Sequence, residues 1–532
     1  MTGWRAFGRI GFVPLERPNE CEENVHFDDG AGNGQSRGDP MPKPIQPLQG
    51  CVFPVCAPRV ARSPAFAALR RGNSQLWAES FNPVGIARGK ARASKLFGIL
   101  LILMLVCLAT LWSGCQSMPK YSSPARLRVK LGVEVLFEKH LDLIRGKRVG
   151  LITNPTGVDG KLESVIELFR AHPEVKLAAL YGPEHGVRGN AQAGEYVAFY
   201  FDEQLKLPVF SLYGQSQKPP ADMLTNIDEY MRRYDTQHAG KQVEAGMMQS
   251  VDVMVFDLQD VGTRVYTYIA TMAYAMQACA EAGIPFVVLD RPNPVNGVTM
   301  EGPILEYPAL SSFIGLYPIP LRHGMTAGEL ARLFNGKFLK KKVELTVVTM
   351  ENWRREEWFD ETSLPWVIPS PNLPTPDSAA VYPGQVLLEG TDLSEGRGTT
   401  RPFELFGAPW IDGYALARQL NELHLPGAKF REAWFTPTFS KFSGKLCGGC
   451  QLHITDRSVY RPVATVLAEL AVIKQLYGDK LELHASYFDK VMGTSSVREA
   501  LERGEPAEKI VAGFKAGLEE FAREREPYLL YH

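Results

Sequence analysis

From about residue 128 the chain alternates short apolar runs with helical patterns of apolar positions three and four apart. The runs are RVGLITN at 148–154, KLAALYG at 176–182, PVFSLYG at 208–214, VDVMVFDLQDVG at 251–262 and PFVVLDRPNPV at 285–295. A helix is expected near 164–171, and YIATMAYAMQACAEAG at 268–283 supplies another between the last two runs. Runs rich in Val, Leu and Ile without polar alternation suit parallel strands covered on both faces. The expected fold class is therefore α/β, with a Rossmann-like parallel-sheet domain over 128–375. Beyond about residue 375 the rhythm changes to a Gly-rich stretch, then helices near 413–423, 459–477 and 506–524. That predicts a smaller C-terminal α+β domain over 376–532, with the active site in the cleft between the two.

Each run ends in a polar cluster: TNPTG, GPEHG, YGQSQKPP, DLQDVGTR and DRPNPVNG. Open parallel sheets bind ligands at the carboxyl ends of their strands, so all five clusters are expected to share one crevice. In or close to these clusters and the later GRGTTR stretch stand Glu184, Glu195, Asp257, Asp260, Asp290 and Glu395, with Arg188, Arg264, Arg291, Arg397 and Arg401. Cleaving a glycosidic bond needs one carboxyl to protonate the leaving oxygen and a second group to stabilise the oxocarbenium-like centre or direct water. Glu184, wedged between Pro183 and His185 in a Gly-bounded turn, is the candidate acid; capping that turn or pairing with Arg188 is its structural alternative. Asp257, Asp260 and Glu395 are candidates for the second role, although Asp257 could equally cap a helix or hold Arg264. Asp290 is expected to fix the PNPVNG turn. Asn154 and His185 belong to the same strand-end clusters as candidate binding residues. The five arginines suit a sugar acid, because a guanidinium grips a carboxylate in bidentate fashion. Tyr181, Tyr213, Tyr266, Tyr268 and Trp410 are candidates for stacking on pyranose faces.

Charge and cysteine content narrow the classes. Lys and Arg total 58 against 59 for Asp and Glu, so no basic field exists to hold nucleic acid. Cys447 and Cys450 form a CxxC pair without the further ligands a structural zinc needs, so two thiols or a disulfide are expected there, and no metal or other cofactor. The apolar run LFGILLILMLVCLATLW at 96–112 follows Arg88, Lys90, Arg92 and Lys95 and ends in Ser113, Gly114 and Cys115. This is the layout of an export signal resembling a lipoprotein lipobox, with Cys115 as the lipid-attachment site and a membrane-anchored, exported location. The expected division is a spurious or disordered extension over 1–83, with translation starting near Val84, a signal peptide over 84–114 and a linker over 115–127.

No Walker A lysine motif, HExxH or GxSxG occurs, and GRGTTR at 396–401 falls short of a dinucleotide fingerprint. The blocks GLITNPTGVD, YGPEHGVRGNAQAGE, DVMVFDLQDVGTRVYTYIATM, LDRPNPVNG, PSPNLPT and YPGQVLLEGTDLSEGRGTTRPFELFGAPW, in that order, resemble the exo-β-N-acetylmuramidase family of peptidoglycan recycling. The resemblance runs from about residue 130 to the terminal YLLYH. It implies an exo-acting glycosidase that removes terminal N-acetylmuramic acid from the non-reducing ends of peptidoglycan fragments. It also implies a Rossmann-like domain with a smaller C-terminal partner, and Glu184 as the catalytic acid. The lactyl carboxylate of muramic acid gives the arginines a partner, and the substrate's 2-acetamido oxygen offers an alternative second catalytic group. A surface lipoprotein that binds muropeptides without cleaving them is the competing expectation.

Overall fold

The computed structural model describes residues 127–214, 217–234 and 250–532. The expected extension, signal segment and Cys115 lie outside the described residues. The first half contains α1 (Gly132–Lys139), β1 (Arg148–Thr153), α2 (Val165–Ala171), β2 (Lys176–Gly182), β3 (Tyr200–Asp202), β4 (Leu207–Ser211), α3 (Ala221–Thr225) and α4 (Ile227–Tyr234). It continues with β5 (Val253–Asp257), α5 (Tyr268–Ala282), β6 (Phe286–Leu289), β7 (Glu301–Ile304), β8 (Pro320–Arg322), α6 (Ala327–Leu333) and β9 (Leu345–Val348). Seven of these strands form one sheet in the order β3-β4-β2-β1-β5-β6-β9, parallel except for β3. Numbered in chain order, its six parallel strands run 3-2-1-4-5-6, the doubly wound Rossmann arrangement.

The apolar runs have no polar alternation because both faces of the sheet are covered. Val149, Leu151, Val253 and Val255 pack on one side with α1 and α2. Ile152, Met254 and Phe256 face the other side, in a core that also takes in α5 and residues of the second half such as Leu467 and Phe488.

The second half comprises α7 (Pro376–Gln385), β10 (Leu405–Ala408), α8 (Gly413–Glu422), β11 (Ala428–Phe435), β12 (Cys447–Ile454), α9 (Pro462–Tyr477), α10 (Ala485–Met492), α11 (Ser496–Glu502), α12 (Ala507–Ala512) and α13 (Lys515–Arg525). Its antiparallel sheet runs β10-β12-β11. The single helix expected over 506–524 is two, divided at Gly513 and Phe514. Cys447 and Cys450 are buried free thiols on β12, and burial pushes the Cys447 thiol up to about 11. The hydroxyl of the penultimate residue, Tyr531, donates to Asp290 Oδ2 at 2.7 Å, and Asp290 also accepts from Thr326 Oγ1 and the Gly328 amide. Asp290 thus ties the chain end and α6 to the sheet. Burial raises its carboxyl to about 6.

Candidate active site

The crevice where the strand order reverses, between β1 and β5, is filled. Asp257, at the end of β5, is wholly buried and accepts from Arg291 Nε at 2.5 Å and Nη2 at 2.9 Å; Arg291 Nη2 also donates to the Val158 carbonyl. The space left there, about 20 Å³ against Thr156, Gln259, Arg291 and Pro365, holds little more than one water. Asp257 and Arg291 are consequently an internal ion pair, not a second catalytic carboxylate and a substrate ligand. Asp260 is likewise turned inward: its Oδ2 accepts from the Gly262 amide at 2.7 Å and lies 3.3 Å from His323 Nε2.

The large opening lies to one side. A cavity of about 690 Å³ is lined by Glu184 and His185 after β2, Tyr213 and Gln217 after β4, and Val265, Tyr266 and Thr267 before α5. Its opposite wall comes from Tyr382 on α7, from Glu389, Glu395, Arg397 and Phe403 in the segment that follows, and from Tyr487 and Lys490 on α10. The cavity therefore sits between the sheet and the C-terminal half, and only the GPEHG cluster of the five contributes its charged residue. The expected convergence of all five strand ends fails because β1, β5 and β6 use theirs to close the reversal point.

Glu184 is positioned by a tight turn. Gly182 ends β2 so close to Val187 that a Cβ there would meet the Val187 amide at 2.8 Å, and His185 and Gly186 both take positive φ, 72° and 75°. A left-handed histidine is unusual and is held here by its Nδ1, 2.8 Å from the Ala191 carbonyl. That carbonyl can only accept, so Nδ1 carries the proton, and burial holds the ring's pKa below its ordinary value. The turn delivers Glu184 to the cavity wall with 9% exposure. Its Oε1 accepts from the Gly194 amide at 2.9 Å and its Oε2 from the Thr267 hydroxyl at 2.7 Å. Burial, with the Glu184 charge beside it, pushes the Tyr213 hydroxyl up to about 12, so that phenol stays protonated.

Across the cavity, Arg397 Nη2 donates to Glu389 Oε1 at 2.6 Å, its Nε lies 3.4 Å from Glu395 Oε1, and its guanidinium lies over the Phe403 ring at 5.1 Å. Burial works to lower the Arg397 pKa, but the Glu389 and Glu395 charges outweigh it and hold the group above its ordinary value. Lys441 Nζ is 3.1 Å from Glu395 Oε2. Tyr487 donates to Glu389 Oε2 at 3.0 Å. Tyr266, Tyr382 and Phe403 make successive edge-to-face contacts along an aromatic wall, with ring centroids 5.9 and 4.8 Å apart.

Several expected residues lie elsewhere. Arg188 is half exposed and pairs with Asp202 at 2.5 Å, anchoring β3 instead of Glu184. Arg401 pairs with Glu404 at 3.2 Å. Arg264 is fully buried, and burial pulls its pKa down; it donates to the carbonyls of Pro303, Ile319, Val491 and Met492. It is a strut between the halves, out of reach of a ligand. Asn154 stands one layer behind the cavity, donating to the Tyr268 hydroxyl at 2.8 Å and to the Pro369 carbonyl. Tyr181 is core, donating to the Met223 carbonyl, and Trp410 packs on Tyr477. Glu389, Tyr382, Tyr487 and Lys490 went unnoticed in the sequence. For Glu389 the one available signal is its place in the block VLLEGTDLSEGRG, eight residues before Arg397.

Sequence models of one family match both halves. The model described as Exo-beta-N-acetylmuramidase NamZ, N-terminal, matches residues 149–243 and 231–377, and its C-terminal counterpart matches 380–531. The chain belongs to the NamZ exo-β-N-acetylmuramidase family. A relative from Bacillus subtilis (strain 168), the peptidoglycan beta-N-acetylmuramidase NamZ, is 49% identical over 413 residues, covering 77% of this chain and 94% of that protein. Two crystal structures of DUF1343 family proteins from Bacteroides fragilis NCTC 9343 share the NamZ fold seen here. One is 37% identical with a TM-score of 0.67, covering 76% of this chain and 100% of the other; the second is 30% identical with a TM-score of 0.58, covering 76% and 99%.

Proposed function

We propose that this NamZ family member is an exo-acting β-N-acetylmuramidase that releases terminal N-acetylmuramic acid from the non-reducing end of peptidoglycan fragments. The observation that carries the reading is Glu184: a buried carboxyl, oriented by Thr267 and Gly194, facing a cavity of ordinary small-molecule size. No cation pairs with it among the described residues, and it is the cavity carboxyl we assign as the general acid toward the leaving oxygen.

The other two cavity carboxylates are engaged, Glu389 by Arg397 and Glu395 by Lys441 and Arg397. Neither is an unencumbered nucleophile. A site with one uncommitted carboxyl suits substrate assistance, in which the acetamido oxygen of the departing sugar attacks its own anomeric carbon. That route inverts the anomeric carbon twice, once when the acetamido oxygen expels the aglycone and once when water opens the resulting oxazolinium ring, and so gives net retention. Proton NMR of the first-formed sugar tests it: an initial α-anomer from a β-muraminide would refute assistance.

The activity itself is tested with a chromogenic β-N-acetylmuraminide and with peptidoglycan fragments. Wild-type protein releases N-acetylmuramic acid, and Glu184→Gln loses at least about a hundredfold in kcat. Binding of fragments without turnover would instead identify a muropeptide-binding lipoprotein.

We also propose export and anchoring through a lipid on Cys115, supported by the basic flank, the apolar run 96–112 and the small residues before the cysteine. Mass spectrometry of the membrane fraction should find acylated Cys115, and Cys115→Ala should leave that fraction; undiminished attachment of the variant would sink the idea.

A further inference from the structure

We infer that Lys490 is the residue that reads the carboxylate of the substrate sugar's lactyl ether, a conclusion that rests on the muramidase reading above. Arginines are the expected carboxylate receptors, yet each is satisfied within the protein. Arg188, Arg291 and Arg401 pair with Asp202, Asp257 and Glu404, and Arg264 is spent on four carbonyls. In the cavity wall Arg397, and beside it Lys441, offset Glu389 and Glu395, so these four charges sum to zero. A second anion placed on Arg397 would meet two resident carboxylates.

Lys490 is different. It lines the same cavity as Glu184 and has no carboxylate partner among the described residues. The carboxylate next to it in sequence, Asp489, is taken by Arg498 through contacts of 2.9 and 3.0 Å. After the internal pairs are removed, the cavity retains one uncommitted carboxyl, Glu184, and one uncommitted cation, Lys490. A sugar bearing a glycosidic oxygen to be protonated and a carboxylate to be neutralised presents the complementary pair of groups.

The ammonium also has a fixed base. Lys490 lies in the last turn of α10, directly before Val491 and Met492, whose carbonyls accept from Arg264 Nη2 at 2.9 and 2.8 Å. The helix closes on Gly493, where φ is +87° and a Cβ would lie 2.5 Å from Arg264 Nη2. The strut therefore pins the helix end that carries Lys490 to the β5 side of the cavity, where Val265, Tyr266 and Thr267 stand.

The test compares N-acetylmuramic acid with its lactyl methylamide as competitive inhibitors of chromogenic muraminide hydrolysis. Wild-type protein is expected to prefer the acid by a few-fold, up to about fivefold, Lys490→Met to bind both alike, and Lys490→Arg to keep most of the preference. Thermal unfolding of Lys490→Met should match wild type, because the side chain is exposed. A Lys490→Met protein that keeps the wild-type preference overturns the assignment, as does a wild type with no preference. A wild type that hydrolyses no muraminide is a different failure, seen before any variant is made, and overturns the muramidase reading as well.

Discussion

Thr267 donates its hydroxyl to Glu184 Oε2 at 2.7 Å although it occupies the N-cap position of α5, and it makes no capping hydrogen bond to that helix. Threonine at such a position ordinarily satisfies an amide of the first turn. Here the hydroxyl is turned to the cavity carboxyl as a donor, away from the first-turn amides, and fixes the rotamer of Glu184. Thr267→Val should therefore leave the unfolding midpoint nearly unchanged while lowering kcat by roughly ten- to a hundredfold, the effect of losing a hydrogen bond to a charged group. Thr267→Ser should recover most of the rate. A large stability loss with kcat intact would show that the residue serves the helix instead.

The Asp257–Arg291 pair predicts the opposite pattern. Both side chains are at most 5% exposed and contact each other through two nitrogens. Removing one partner leaves the other charged and buried, a loss of about 3–5 kcal/mol. Asp257→Ala should unfold at markedly lower denaturant, while the folded fraction retains kcat within a few-fold. The double variant Asp257→Ala, Arg291→Met should be more stable than the sum of the single losses predicts. A kcat loss comparable to that of Glu184→Gln in fully folded Asp257→Asn would return Asp257 to the reaction.

Those two pairs show what the sequence makes legible. The parallel strands are readable because their burial on both faces writes continuous apolar runs, as in VMVF before Asp257. β9 escapes notice because it is an edge strand with three of its four residues only half-buried. Glu184 is readable because local features announce it: a Pro and flanking Gly residues in one short turn at the end of an apolar run. Its surroundings are not, since Glu389, Tyr487 and Lys490 arrive from more than 200 residues downstream on helical segments with ordinary composition. Asp257 and Arg291 mislead for a physical reason. Opposite charges at the ends of adjacent parallel strands, β5 and β6, can neutralise each other as readily as they can meet a ligand, and composition does not distinguish the two uses.

Arg397 is held between Glu389 and Glu395, so its removal should be felt in both stability and catalysis. Arg397→Met leaves Glu389 without a cation, while Glu395 keeps Lys441, and is expected to lower both turnover and stability, the latter by a few kcal/mol. Adding Glu389→Gln removes that unpaired charge. Denaturant titration of the four proteins in this cycle should show a favourable coupling between positions 389 and 397 of about 1 kcal/mol or more. Strict additivity would mean that the 2.6 Å contact contributes nothing in solution.

Glu469 supplies a pH dependence that is independent of the active site. It is fully buried on α9, and burial lifts its carboxyl from 4.5 to about 8. The Gln385 amide donates to both of its oxygens, while Gln385 Oε1 finds no donor among the described residues. A protonated Glu469 supplies that donor once the amide rotates. Because the folded-state value is raised, the native protein keeps a proton that the unfolded chain loses above about pH 4.5. Stability from this group is thus fully present below about pH 4.5 and declines as pH rises toward 8, by a few kcal/mol in total. Glu469→Gln retains the hydrogen-bonding shape without the ionisation. Its advantage over wild type in thermal unfolding should therefore grow steadily from pH 5 to pH 8.5. An advantage that stays constant across that range, or that shrinks, would mean Glu469 is ionised in the folded protein at neutral pH.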